Sequence, residues 1–302
     1  MLIDRIMHYC NNEYQTKHAG FRCVDCKRKE GCSGSCKNCL EEVHYPSRHP
    51  NGKKVYDCPH LINFYVCDYT YKYTTEICRL MQKSDVLSQL SQYRVLSIGC
   101  GGCPDLMAFE SYIKINNFDK TVEYRGIDKN PLWKPVHDQI SQYGSDIITY
   151  INLSTEDVFE FLEQFTVCDI NVVVLQYIIS ALYAAEGRSA VNRLFDLVVE
   201  SIVKARDETE PFVILINDVN SINLGRDMFR NLQDKLWDAG LHGECKPYYF
   251  DRNIQHESQR YGTKHENSNA MTPTIAQRYQ DYEPWQFCTS AQLLIEIGVN
   301  EE

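Results

Sequence analysis

Val95-Leu96-Ser97-Ile98-Gly99-Cys100-Gly101-Gly102-Cys103-Pro104-Asp105-Leu106 runs from an apolar segment through clustered glycines to a proline. Val95 to Ile98 reads as a short buried strand. Glycines follow, and Pro104 suits the first turn of a helix, where φ is already set and the missing N–H costs nothing. Lacking a Cβ, glycine adopts positive φ and lets the backbone approach a ligand closely. In open α/β sheets, ligands bind beyond the carboxyl ends of the strands. Two phosphate-binding versions of such a loop are excluded. A dinucleotide fingerprint, Gly-x-Gly-x-x-Gly, needs a third glycine at position 104, where proline stands. A P-loop needs Gly-Lys-Ser/Thr, which is absent.

Outward from the loop the same alternation continues. Ser84-Asp85 can cap a helix running to about Gln92. Glu123 to Ile127 is a second strand ending at Asp128, Ile147 to Ile151 a third, and Ile170 to Leu175 a fourth. The fourth is nearly all apolar, as central parallel strands are. A helix from about Ser189 to Ala205 precedes a fifth strand, Phe212 to Ile216. Lys246 to Phe250 and Leu293 to Ile297 are candidates for the last two. The pattern predicts an α/β fold, a mostly parallel seven-stranded sheet with helices on both faces. Asp251 to Pro284 is long and polar and carries His256, His265, Arg252, Arg260 and Lys264, which suggests a lid or an insertion.

Ribose recognition calls for an acidic residue at the end of the second strand. Asp128 closes Tyr124-Arg125-Gly126-Ile127 at 29 residues beyond Gly99. A carboxylate can accept both ribose hydroxyls; Asp128-Lys129-Asn130-Pro131 also reads as a turn. With the glycine loop, Asp128 and the ordered strands together, residues 84–298 resemble the class I, Rossmann-like methyltransferases that use S-adenosylmethionine (SAM). The resemblance implies SAM held by Gly99, Cys100 and Gly101 of the loop and by Asp128 and Lys129 after the second strand. It implies Asn152, Leu153 and Ser154 beside the adenine, and Gln176 and Tyr177 facing the methyl donor.

The sequence departs from commoner versions at Cys103, where a third glycine often stands. Cys100 and Cys103 form a C-x-x-C, open to redox or metal chemistry, although small-residue packing is the preferred reading. The implied mechanism is direct transfer to a positioned nucleophile with water excluded. A base is required only if the acceptor must lose a proton; Asp218, Tyr177 and the loop histidines are candidates. The Asn/Asp-Pro-Pro-aromatic signature of amino methylation and the Pro-Cys nucleophile of C5 methylation are absent, which leaves the acceptor atom open.

The N-terminal part differs in composition. Nine of the fourteen cysteines lie in residues 1–78. Cys23, Cys26, Cys32, Cys36, Cys39 and Cys58 include two C-x-x-C pairs, the local spacing of tetrahedral thiolate sites. Six cysteines could hold two zinc ions with shared ligands, or Cys10, His60 or Cys67 could complete separate sites. An iron–sulfur cluster is the alternative. The Cys32, Cys36, Cys39 spacing is also that of radical-SAM motifs, but too little chain remains for that barrel. The division expected is 1–59, a cysteine-rich metal-binding region; 60–93, connecting helices rich in tyrosine; and 94–302, the methyltransferase domain.

A net charge of −10 argues against bulk binding to nucleic acid. Residues 1–60 nonetheless hold ten Lys/Arg and seven Asp/Glu, about +3, enough for a local patch that touches phosphates. The leading expectation is methylation of a macromolecule, RNA first, with the zinc module serving structure or recruitment. A small-molecule or protein methyltransferase with a purely structural metal, and a non-catalytic SAM-binding protein, are the other readings. No secretory signal and no apolar run of about 18 residues is seen, so a cytoplasmic protein without membrane spans is expected. The oligomeric state is not legible.

Overall fold

A computed structural model of the protein describes residues 1–18, 35–45, 48–165, 169–222, 224–252, 254, 256–271 and 283–298. Eight strands form one sheet: β1 (Gln92–Ile98), β2 (Thr121–Ile127), β3 (Ile148–Ser154), β4 (Val172–Gln176), β5 (Phe212–Val219), β6 (Glu244–Tyr249), β7 (Thr263–Lys264) and β8 (Ser290–Ile297). Their order is β3-β2-β1-β4-β5-β8-β6-β7. β8 runs antiparallel to both neighbours, and the other seven share one direction. The sheet is thus the mostly parallel, Rossmann-like type expected, with one strand more. The addition, β7, is a two-residue edge strand on β6, too short to show a period in sequence.

β4 and β5 are apolar because helices cover both sides of them. On one face, α1 (Leu2–His18), α2 (Cys36–His44), α3 (Pro59–Met81), α4 (Asp85–Gln89), α5 (Pro104–Asn116) and α6 (Lys134–Ser141) share a core with Val95, Tyr124 and Val174. On the other, α7 (Val158–Gln164), α8 (Ile178–Glu186), α9 (Arg188–Ala205) and α10 (Phe229–Asp238) pack on Ile98, Val173 and Ile214. Ser84 caps α4, its hydroxyl accepting from Leu87 N–H, and Pro104 opens α5, both as expected. Chain direction across the sheet reverses between β1 and β4, and the crevice at such a switch point is where ligands bind.

α3 positions that crevice. It is buried on nearly every side, so it carries no simple apolar stripe. Thr74 Oγ1 donates to the Pro104 carbonyl at 3.1 Å, and Gln176 Nε2 donates to the Tyr73 carbonyl at 3.0 Å. Glu76 is wholly buried. Its Oε2 accepts from the Tyr177 hydroxyl (2.8 Å) and Asn217 Nδ2 (3.0 Å), and its Oε1 from the N–H groups of Thr289 (2.9 Å) and Ser290 (3.3 Å). Gln292 Nε2 donates both to the Glu76 carbonyl (2.7 Å) and to Asn217 Oδ1 (2.8 Å). Helix, β4, β5 and β8 are joined at one carboxylate.

His265, expected in a polar insertion, is instead part of the sheet edge. Its ring stacks on Phe250 at 4.3 Å, and its Nε2–H donates to Gln292 Oε1 at 2.6 Å. Among the described residues, no helix is long and apolar enough to cross a membrane.

Removing Glu76 strands buried donors from four residues. Glu76→Ala should lower unfolding free energy by about 3–5 kcal/mol, and Glu76→Gln by less, in urea denaturation. A pH effect follows from His265. Burial holds it down to about 4, with Lys83 and Arg79 adding to that and the Gln292 hydrogen bond opposing it, whereas the unfolded chain titrates near 6.5. The unfolded state therefore binds the extra proton between those values. The contribution of His265 is present above about 6.5 and is lost as pH falls toward 4. The urea midpoint should drop across that window, and less steeply in His265→Gln.

Candidate functional site

The glycine loop between β1 and α5 is shaped by left-handed backbone. Gly99 has φ +70° and Gly101 φ +50°, and a Cβ on Gly99 would lie 2.9 Å from Ile178 Cδ1. The N–H groups of Gly99 and Cys100 both donate to the Ile127 carbonyl, at 2.8 and 3.0 Å, tying the loop to the end of β2. Cys103 stands where a glycine is commoner, and its φ is +55°: a cysteine held in a conformation that favours glycine.

Asp128 completes that tie. Its Oδ2 accepts from Gly101 N–H at 3.1 Å and its Oδ1 from Asn130 N–H at 2.9 Å. Each oxygen keeps a second lone pair. Burial pushes its pKa up, and the bonds from Asn130 and Gly101 oppose the rise. Both readings of Asp128, ligand anchor and turn residue, are therefore compatible with its geometry. Trp133, brought in by the Pro131–Trp133 turn, packs on Gly101 and Gly102. Lys129 is exposed, 3.9 Å from the Glu186 carboxylate. The Cys100 side chain is turned against Gly126, where an added Cβ would lie 2.9 Å from its sulfur.

The tips of β3 and β4 flank this loop. Ser154 Oγ and Gln176 Oε1 are buried polar atoms without a hydrogen-bond partner among the described residues. A buried orphan acceptor or hydroxyl costs about 1–3 kcal/mol, so two at one sheet end mark a place where a ligand would supply partners. Tyr177 follows with φ +57°, a left-handed tyrosine fixed by its bond to Glu76. Asp218 is not free to act as a base. Its oxygens accept from Ser180 N–H (3.0 Å) and Val219 N–H (2.6 Å), capping α8, and burial raises its pKa to about 6 despite those bonds.

An aromatic run borders the same crevice. Ring centroids step from Trp133 to Tyr65 (5.8 Å), Tyr69 (5.4 Å), Tyr73 (5.2 Å) and Tyr177 (4.4 Å), with Trp285 stacked on Tyr69 at 5.8 Å. The Lys72 ammonium lies 5.2 Å from the rings of both Tyr73 and Tyr177 and 3.8 Å from Glu76. Tyr71 and Tyr73 are buried, and the run also lines the site. Lys72 and Glu76 were missed. Their signal was an opposite-charge i, i+4 pair inside an otherwise aromatic helix.

Of the expected metal ligands, Cys23, Cys26 and Cys32 lie outside the described residues. Cys36 and Cys39 sit one turn apart on α2 and Cys58 is the N-cap of α3, all buried, as are Cys10, Cys67 and His60. Among the described residues one group has metal-holding spacing. Cys100, Cys103 and His137 bring their ligand atoms within 4.8 Å of one another, and all three are buried. The preferred reading of the C-x-x-C as packing did not include His137, which α6 delivers from 34 residues further on. Burial alone would raise the Cys103 thiol, but hydrogen bonds with Cys100 and His137 bring it down to about 6. Its hydrogen bond and burial push Cys100 up.

No protein-family model matches the sequence, and no curated protein matches it. Solved structures do resemble the fold. A SAM-dependent methyltransferase from Archaeoglobus fulgidus is similar at 14% identity over 74% of this chain and 94% of its own, with TM-score 0.40. The plantazolicin methyltransferase BpumL, bound to a triazolic desmethylPZN analog and SAH, is similar at 10% identity over 95% and 98%, with TM-score 0.46. A probable spermidine synthase from Corynebacterium glutamicum is similar at 9% over 78% and 64%, with TM-score 0.38. At such values the likeness leaves function to be argued from the residues of the site.

Proposed function

We propose that this protein is a SAM-dependent methyltransferase that holds SAM across the carboxyl ends of β3, β2, β1 and β4. One observation carries the reading. Asp128, at the end of β2, binds the Gly101 amide of the loop after β1, so a ribose-binding carboxylate and a glycine loop meet at the switch point of a parallel sheet. Ser154 Oγ and Gln176 Oε1 support it as unpartnered atoms on either side. The donor set suits an uncharged ribose and adenine. The loop has no lysine, and proline stands at 104, where the phosphate-binding spacing needs a glycine.

SAM supplies a methyl group already activated on a sulfonium. The residues of this chain then have four tasks. The backbone of Gly99 to Gly101 makes room for close approach. Asp128 receives the ribose hydroxyls. The rings of Tyr73 and Tyr177, which already hold the Lys72 ammonium at 5.2 Å, wall the crevice on the methyl-donor side. α3 covers the crevice and keeps water out, held down by Glu76. No general base is assigned, because Asp218 and Tyr177 are committed to Ser180 and Glu76.

For the acceptor we keep RNA as the first class to test, on the positive balance of residues 1–60, with zinc bound by the N-terminal cysteines for structure or recruitment. A small-molecule or peptide acceptor is the second reading. It is favoured by the sheltering of the aromatic run, where Tyr73 is buried and Tyr65, Tyr69 and Tyr177 are half-buried. The boundaries 1–59, 60–93 and 94–302 remain the proposed division.

Asp128→Asn should weaken SAM binding about ten- to hundredfold by calorimetry, the worth of a charge-assisted hydrogen bond, while the circular dichroism spectrum is unchanged. Equal affinity in the variant would sink the assignment. An RNA acceptor requires binding whose affinity falls steeply with added salt, measured by filter retention. Absent or salt-insensitive binding, together with methyl transfer from labelled SAM into a small-molecule or peptide fraction of cell extract, would replace RNA by the second reading.

A further inference from the structure

Beneath the glycine loop, two thiols and an imidazole are brought together from different parts of the fold. Cys100 comes from the loop, Cys103 from its end and His137 from α6, and their ligand atoms all lie within 4.8 Å of one another. All are buried. Two sulfurs and one imidazole nitrogen form a donor set that zinc-class cations prefer over oxygen-seeking ones.

Two details make this more than close packing. His137 Nε2 lies 2.7 Å from the Gly101 carbonyl, which can only accept, so Nε2 carries the proton. In the neutral ring Nδ1 then keeps the lone pair. Metal-binding histidines commonly donate their second N–H to a backbone carbonyl in this way. Next, Cys103 keeps its left-handed φ of +55°, a strain that persists only where something holds it.

We propose that Cys100, Cys103 and His137 form a three-ligand binding site for a thiophilic divalent cation of the zinc class, with the remaining position left to an exchangeable ligand. Binding takes the proton from each thiol and releases it to solvent. The ion would fasten the glycine loop to α6. This site is separate from the N-terminal cysteines, and its existence does not depend on which ligand the loop binds.

The full chain, stripped with a chelator and reloaded separately with zinc and with cobalt(II), tests the site. Cys103→Ser and His137→Ala should each hold one ion fewer per chain than the parent by elemental analysis. His137→Cys should keep the parent count and strengthen the near-ultraviolet thiolate-to-cobalt band, because sulfur replaces nitrogen in the set. If the first two variants fail to fold, that spectrum decides. Equal counts and an unchanged band in variants shown to be folded would overturn the site. So would a Cys100–Cys103 disulfide in protein purified without air. SAM affinity measured on the same samples keeps this outcome distinct from that of the methyltransferase reading.

Discussion

Glu76 is wholly buried, and its two oxygens collect hydrogen bonds from the Tyr177 hydroxyl, the Asn217 amide and the backbone of Thr289 and Ser290. Desolvating a carboxylate costs several kcal/mol, offset only where the geometry satisfies it. Here the partners come from the carboxyl end of β5, the residue just past β4 and the start of β8. The carboxylate can be satisfied only when α3 lies across those ends. That constraint fixes the ceiling of the crevice, the left-handed turn at Tyr177 and the aromatic run that passes from Tyr65 to Tyr177. A lysine one turn earlier, Lys72, balances part of the charge at 3.8 Å.

The floor depends on a second, smaller constraint. The loop after β1 has no regular partner of its own, so it borrows from β2: two N–H groups reach the Ile127 carbonyl and a third reaches Asp128. The shape of the loop, and the ligand contact proposed for Asp128, thus rest on one strand end. The cation site proposed beneath the loop would strengthen the tie to α6 that His137 already makes at the Gly101 carbonyl. Floor and ceiling meet where Thr74 of α3 donates to the Pro104 carbonyl and Gln176 donates to the Tyr73 carbonyl. The unpartnered atoms of Ser154 and Gln176 lie at the strand ends between them.

Much of this was legible before any coordinates. β1 and β4 read as apolar runs because they are buried on both faces, and Gly99, Gly101 and Asp128 stood out because turn and strand end demand them. What was not legible has physical reasons. β7 pairs through two residues, which carry no period. α1 lies within the stretch expected as a cysteine-rich metal-binding region, although Ile3, Met7, Cys10 and Tyr14 follow helical spacing, because polar residues between them dilute the apolar signal. His137 has no local signal as a partner of Cys100 and Cys103, since only the docking of α6 brings them together. Asp218 read as a candidate base, but the fold spends it on capping α8. The C-x-x-C inside the glycine loop read as packing because a single motif does not reveal a third ligand.

If the loop, Asp128 and the tips of β3 and β4 form one ligand site, SAM must touch all of them at once. Hydrogen–deuterium exchange of the full chain with and without saturating SAM reads this out. Added protection is expected at residues 99–103, 128–130, 152–154 and 176–177, with β6 and α10 unchanged. No protection at the loop and Asp128, or protection centred on another part of the fold, would contradict it.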